Sequence, residues 1–499
     1  MKFLLITGRL ARPILEEAVK DLKEKVTVLA LDYPVASLMS VTYILEKMKQ
    51  LRGKVLGYDF IVLPGLVYGD ASAIEREFGV KTVKGSENAW DVPRVIDALE
   101  RGVKLSTVYP ADKVLSDVAR YDVYEDLRRI EEKGNYAFDV GFKVPVRPPP
   151  FRILLELNPS STLEKWIADV ERSKKFVDGV VVGFPVGFSD LDEVRRRVRK
   201  IGEMVNTIGI DSDSPSVLRE GVRSGANLVF NLNETNIDEL TDIRDGPAFV
   251  VAPFSTEDRG NLTVALVERA RSKGFSKLIA DPVLSPPLMG MTDSLGYYLQ
   301  LREKLKDVPL LMGVLNVSEL IDVDSHGVNG LMAAIGAELG VSIFLTMEKG
   351  KTKWSPWELR EASTMVSLAM TRGKTPTNSG KDLLVIKDKR RTRQALPIGD
   401  RIRAEKIEPS MDSSGFAHIV VNDRRILVSF SGSKDLLVEG EDGLAVGRTL
   451  LKHIENISKD HALYLGYELA KAEIACLLDK EYVQDKPLLR RIGVESGSS

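Results

Sequence analysis

The sequence predicts an α/β chain built around a central (βα)8 TIM barrel, with an N-terminal doubly wound α/β domain and a small C-terminal α+β domain. Three observations carry the prediction. Between residues 148 and 375, eight short apolar runs alternate with eight helical patterns, the repeat that a closed parallel barrel requires. Before residue 147, unbroken apolar strands again alternate with helices, as in an open parallel sheet covered on both faces. After residue 411 the pattern changes to two alternating strands followed by two helices.

In the first domain, 1–147, the runs KFLLITG, VTVLAL and DFIVLPG read as buried strands, with helical spacing over 14–22 and 40–48. VKTVKG is a further strand run. DVPRVIDAL follows as a helix, with Asp91 at the N-cap and Pro93 in the first turn. Gly8 follows the first strand, but GRLARP has one glycine where a dinucleotide loop needs three, so no nucleotide site is read there. VPVRPPP (144–150) reads as a proline-stiffened linker.

The barrel strands of domain 148–375 are RILLELN, GVVVGF, TIGID, NLVFNLN, AFVVAPF, KLIADP, PLLMGVLN and SIFLTME. Helices are expected over 163–170, 191–201, 215–221, 236–240, 261–270, 295–305, 330–339 and 356–369. Residues 376–410 read as a linker, and their basic run KDKRRTR (387–393) as a solvated segment rather than a nucleic-acid contact. In 411–499, SSGFAHIVVNDRRILVSF reads as a hairpin turning at Asn422-Asp423, followed by helices over 443–457 and 461–478.

Bulk composition narrows the function. The 499 residues are 43% hydrophobic and 28% charged with a net charge of −2, so no global field draws the chain to nucleic acid or anionic lipid. A single cysteine, Cys476, precludes an internal disulfide and suits a reducing cytoplasm. No signal segment or spanning run is expected. Few glutamines beside many charged residues lean towards a thermophile. The four histidines, His326, His418, His453 and His461, share no ligand spacing, so no metal is predicted.

Barrel chemistry sits at the C-terminal strand ends. There the sequence places Asn158, Asp211, Asn231, Asn233, Asp281 and Asn316. Strand cores are normally apolar, so repeated amides and carboxylates at equivalent ends call for a ligand. Local alternatives exist. Asp211, with Ser212 or Ser214, also suits the N-cap of the helix near Pro215, and Asn158-Pro159 also suits a plain turn. Asp322, Asp324 and His326 read as a helix-start loop near the mouth.

These segments carry a resemblance. IGIDSDSPSVLREGVRSGANLVFNLN resembles the strand-helix-strand of dihydropteroate synthases and of methyltetrahydrofolate:corrinoid methyltransferases, with Asp211 and Asn231 on their strand-end aspartate and asparagine. ADP (280–282) puts Asp281 on the pterin-binding aspartate. GVLNVS (313–318) puts Asn316 on the asparagine that reaches pterin N5, and LELNPSS puts Asn158 on the first-strand asparagine. The resemblance implies a reduced pterin, of folate or tetrahydromethanopterin type, held by Asp211, Asn231, Asp281 and Asn158, with Asn316 as the catalytic group. A carboxylate can accept the pterin's two parallel N–H donors, and an amide can both donate to and accept from the ring.

The sequence also departs from the synthases. Val317 replaces their pterin-contacting lysine, SIFLTMEKG lacks their Arg-x-His diphosphate grip, and GFPVGFSD replaces their Gly-Glu-Ser-Thr-Arg-Pro loop. Lys349 and Lys351 are the nearest substitutes. The three-part arrangement is similar to the archaeal dihydropteroate synthase-related proteins. DHALYLGYELAKAEIACLLDKEYVQDKPL resembles a small domain distantly similar to the corrinoid-binding component of tetrahydromethanopterin methyltransferase, which singles out His461 and brings in a corrinoid. The resemblance implies a pterin-dependent transferase moving a methyl or other one-carbon group. Condensation of a dihydropterin diphosphate with an arylamine, or non-enzymatic pterin or corrinoid carriage, remain the alternatives. A corrinoid protein and a second copy of the chain stay open as partners.

Overall fold

The computed structural model describes residues 1–115, 119–377, 379–387, 402–405, 407–410 and 412–489. The basic residues 388–393 lie outside them. The chain divides into two compact units, Met1–Arg391 and Thr392–Ser499.

The first unit opens with a parallel sheet of β1 (Phe3–Thr7), β2 (Val26–Ala30), β3 (Phe60–Leu63) and β4 (Lys81–Lys84), in the order β2-β1-β3-β4. Side chains alternate across a strand, and β1 feeds two separate cores. Leu4 and Ile6 pack with Ile44, Met48, Ile74 and Phe78, whereas Phe3 and Leu5 pack with Leu15, Val95, Ile96 and Leu99. Helices therefore cover both faces, as the apolar strands require. Asp91 does occupy the N-cap of the helix Val92–Glu100, yet its side chain makes no capping bond. It accepts instead from the buried Lys374 ammonium at 2.7 Å, because an interior cation needs a counter-charge more than a helix end needs a cap.

The barrel strands are numbered after a short hairpin, β5 (Tyr136–Asp139) and β6 (Lys143–Pro145). They are β7 (Arg152–Leu157), β8 (Gly179–Gly183), β9 (Ile208–Asp211), β10 (Leu228–Leu232), β11 (Ala248–Val251), β12 (Leu278–Ala280), β13 (Leu311–Gly313) and β14 (Ile343–Met347). All pairings are parallel, and a bridge between Ala280 and Leu310 joins the two end strands. One parity of side chains, including Ile153, Val180, Val229 and Phe344, packs under the surrounding helices. The other, including Leu154, Val181, Phe230 and Ile279, fills the interior.

The hairpin corrects one expectation. Val144 and Pro145 of the VPVRPPP run are strand residues, not a free spacer. Val140 and Val144 join the barrel's interior core. The Val140 carbonyl accepts from Thr207 Oγ1 at 2.7 Å and Asn227 Nδ2 at 2.9 Å, residues that immediately precede β9 and β10. The hairpin thus plugs the N-terminal floor and leaves the opposite end as the mouth. A second correction concerns 236–240. There Asn233 and Asn236 bond each other, and only a 3-10 turn, Glu239–Ile243, follows. Asparagine favours such local side-chain-to-backbone bonds over helix.

The second unit contains an antiparallel sheet of β15 (Gly415–Asn422), β16 (Arg425–Gly432) and β17 (Leu436–Gly440), with helices Gly443–His453 and Lys459–Leu478. The hairpin turns at Asp423-Arg424, one residue later than expected. Both residues have positive φ, 46° and 62°, as a two-residue reverse turn with right-handed strand twist demands. Ile426, Val428 and Phe430 pack on Leu450, Leu465 and Leu469. Among the described residues no helix is long and apolar enough to cross a membrane.

Candidate functional site

Strand parity decides what enters the mouth. Leu154 faces the interior, so Glu156, two residues on, does too; Ile279 likewise brings Asp281 inward. On β9, Gly209 sits against Val181 and Phe230, where any side chain would crowd them. Asp211 is the next inward position. Three carboxylates thus stand at the top of the barrel interior on β7, β9 and just beyond β12.

Burial governs their titration. It pushes Glu156 up to about 8, with the charges of Asp211 and then Glu319 adding to the effect. It raises Asp211 to about 6, with Asp213 contributing. Asp281 is also lifted to about 6 by burial, although hydrogen bonds from Val283 and Tyr298 and the charge of Arg259 pull the other way. The three differ in their partners. Asp281 Oδ1 accepts from Val283 N at 2.8 Å and Tyr298 Oη at 3.0 Å. The Asp211 and Glu156 carboxyls make no hydrogen bond among the described residues. Asp211 is not an N-cap, since Ser214 occupies that position.

Asn231 lies beside Asp211, because its neighbour Phe230 pairs with Asp211 across β9 and β10. The register with β11 skips from Phe230 to Leu232, so Asn231 is the extra residue of a bulge, a device that re-aims a side chain. Its amide also lacks a hydrogen bond among the described residues, while its carbonyl accepts from Asn236 Nδ2 at 2.8 Å. Asn233 is taken up by the loop, accepting from Thr235 and Asn236.

Asn316 does not end a strand. β13 stops at Gly313, and Asn316 sits on the helical turn Leu315–Ser318. Its Nδ2 donates to Leu284 O at 2.8 Å, tying this turn to the loop that starts at Asp281. Asn158 follows β7. Its Oδ1 accepts from Ser160 N at 3.0 Å, and its carbonyl accepts from Trp166 Nε1 at 2.8 Å, the geometry of a turn that launches the next helix. Glu156 and Asp211 feel each other's charge, Asn231 adjoins Asp211 across the sheet, and Asn316 is tied to the loop that starts at Asp281. Among the described residues, no hydrogen bond links Asn158 to any of them.

Two mouth residues escaped the sequence reading. Glu156 was hidden inside an apolar run, and counting inward parity from Leu154 would have exposed it. Arg259 opens the helix Arg259–Ser272, two residues before its expected start. Its Nη1 reaches Val283 O at 3.3 Å and Ser285 Oγ at 3.2 Å, and its buried Nε lacks a hydrogen-bond partner in the described residues. The lysines nearest to a diphosphate grip form solvent-exposed ion pairs. Lys349 pairs with Glu319 at 3.5 Å and Lys351 with Asp322 at 3.1 Å. In the second unit, His461 Nδ1 contacts Asp412 Oδ2 at 3.1 Å, and the ring stacks near Phe430. Among the described residues no cluster of three or more potential metal ligands occurs.

An uncharacterized protein of Methanocaldococcus jannaschii is 31% identical over 528 aligned positions, covering 97% of this chain and 98% of that one. This chain belongs to that protein's family. Residues 411–485 of this family member match the family described as PterinBD-DUF4346, and residues 1–87 match a family of unknown function, DUF6513. Two solved structures similar to it are the Yersinia pestis dihydropteroate synthase with a pterin-sulfa conjugate and the Vibrio fischeri 7,8-dihydropteroate synthase. The first is 18% identical with a TM-score of 0.38, covering 48% of this chain and 100% of that one. The second is 16% identical with a TM-score of 0.39, covering 48% and 98%.

Proposed function

We propose that the barrel mouth binds a reduced pterin and that the protein moves a methyl or other one-carbon group on it. The observation that carries this reading is unfilled hydrogen-bonding capacity. On adjacent strand ends above a plugged floor, Asp211 and Asn231 hold a carboxylate and an amide that have no side-chain partner among the described residues. Both side chains are half-buried at the mouth, so they are open to a ligand with complementary donors and acceptors. The two parallel N–H donors of a pterin match one carboxylate. The family name matched by residues 411–485 agrees with a pterin.

In this reading Asp211 orients the ring by accepting its donors, and Asn231 pairs with a ring donor and acceptor. Asp281, fixed by Val283 and Tyr298 through one oxygen, offers the other. One-carbon transfer from nitrogen needs a proton as the carbon–nitrogen bond breaks. Glu156 retains its proton up to about pH 8 and would supply it. Asn316 keeps one amide hydrogen and its oxygen for the same region. A corrinoid, free or on a partner protein, is one acceptor that this chemistry admits. The pterin tail decides between folate and tetrahydromethanopterin types.

Arg259 favours one second reading, the condensation with an arylamine, because it sets a guanidinium beside Asp281 where a diphosphate could be met. Titrating the full chain with 6-methyltetrahydropterin, with and without inorganic diphosphate, separates the two. One-carbon transfer predicts an unchanged Kd. Condensation predicts tighter binding that Arg259→Ala removes. Absence of pterin binding under both conditions refutes both.

A further inference from the structure

The first unit contains a second set of parallel strand ends, and they frame a cavity of about 270 Å3. It lies between β1 and β3. The chain leaves β1 for β2 on one side of the sheet and later adds β3 and β4 on the other, so this is the topological switch point. In open α/β sheets, ligands bind in the crevice outside the strand ends at that point.

The crevice is preformed, because its walls are cross-braced in two pairs. The loop after β1 is tied to the loop after β2 by Arg9 N to Tyr33 O at 2.8 Å and Leu10 N to Pro34 O at 3.1 Å. The loop after β3 is tied to the loop after β4 by Gly65 N to Ser86 O at 3.0 Å and Gly85 N to Leu63 O at 2.8 Å. Each pair is close enough to require glycine. A Cβ on Gly8 would lie 2.8 Å from Ala36 N, and one on Gly65 would lie 2.6 Å from Gly85 O. The gap between the two pairs is the cavity.

Its lining defines the ligand. Leu5, Leu15, Val62, Leu63 and Val92 form an apolar wall, while Thr7, Ser37 and Ser86 supply the hydroxyls. Among the described residues, Glu87 is the one charged residue that lines it; no lysine, arginine or histidine does. The rim is also apolar, with Leu10 68% and Leu66 51% exposed. A phosphate or carboxylate would be desolvated here without a cation, at a cost of several kcal/mol. The volume is nearly twice the ~150 Å3 void that holds one benzene ring.

We propose that the N-terminal sheet binds an uncharged, mainly apolar molecule the size of two fused rings, with hydroxyl or amine groups read by Thr7 and Ser37, at the β1–β3 switch point. This site is separate from the barrel mouth and does not depend on the pterin reading.

The test uses 1-naphthol and its anionic counterpart 1-naphthyl phosphate, titrated calorimetrically into the full chain. The proposal expects saturable naphthol binding below about 1 mM and phosphate-ester binding weaker by about tenfold or more. Ala89→Phe fills the cavity from within, and Ser37→Trp blocks it from the exposed rim; each should weaken naphthol binding by about tenfold. If Ala89→Phe does not fold, Ser37→Trp decides alone. The proposal is overturned by lack of saturation, by equal or tighter phosphate-ester binding, or by folded variants that bind naphthol like the parent chain.

Discussion

The barrel mouth and the crevice of the N-terminal sheet obey the same topological rule and reach opposite chemistry. Both lie at the carboxyl ends of parallel strands. In the barrel, the inward positions there are Glu156, Asp211 and Asp281, closed from below by a hairpin. In the open sheet, the corresponding region is walled by leucine and valine and held by glycine-tight loops. Topology sets where a ligand can sit, and the residues at or just past each strand end set what it can be.

The comparison can be broken at four points. The largest effect is expected at Asp281→Ala, which removes a charged acceptor from the mouth and strands the buried Tyr298 hydroxyl. Tetrahydropterin affinity should fall roughly 100-fold, and stability by about 1–3 kcal/mol, read by calorimetry and thermal unfolding; naphthol binding should persist. An unchanged pterin Kd would remove Asp281 from the site.

Gly65→Ala is the mirror experiment. Its Cβ meets backbone rather than a movable side chain, so about 1–3 kcal/mol of stability should be lost. Naphthol binding should weaken while pterin affinity holds. Loss of both affinities together would mean that the two sites are not separate.

Glu156→Gln tests the electrostatics of the mouth through pH. The folded chain raises this carboxyl from 4.5 to about 8, so between those values it holds more proton folded than unfolded. Stability contributed by the protonated form is complete below the unfolded value and declines as pH rises to about 8. Glutamine removes that decline. The Tm advantage of the variant should therefore grow from pH 5 to pH 8, reaching the equivalent of about 1 kcal/mol or more. A difference independent of pH would contradict the burial of Glu156 among acidic neighbours.

The smallest effect belongs to Lys351→Ala. Its partner Asp322 is fully exposed, and such pairs contribute about 0–1 kcal/mol. Neither stability nor pterin affinity should change measurably, and a large loss of affinity would return Lys351 to the site.

Much of this architecture was legible in the sequence, for physical reasons that also mark where legibility ended. Continuous apolar runs such as NLVF and SIFL identify buried parallel strands, and their recurrence identifies the barrel. Asp211 and Asp281 stand out because carboxylates rarely follow such runs. Glu156 did not, since a single acid inside RILLELN betrays itself only once the inward parity is known. The β5–β6 hairpin was masked by prolines that mimic a linker, although Val144 is fully buried. Asn316 was assigned to a strand end because the sequence LLMGVLN does not reveal where pairing stops. The N-terminal crevice was invisible, because it arises from close approach at Gly8 and Gly65 of loops far apart in the chain.

The central claim is that Asp211 and Asn231, whose side chains make no hydrogen bond among the described residues, present them to a reduced pterin. Isothermal titration of the parent chain and Asp211→Asn with 6-methyltetrahydropterin tests it most directly. The account predicts saturable one-to-one binding to the parent and, because the amide keeps the shape but loses the charge and one acceptor, a Kd weakened by about tenfold to 100-fold. Equal affinity in the two proteins, or no saturation in the parent, would contradict it.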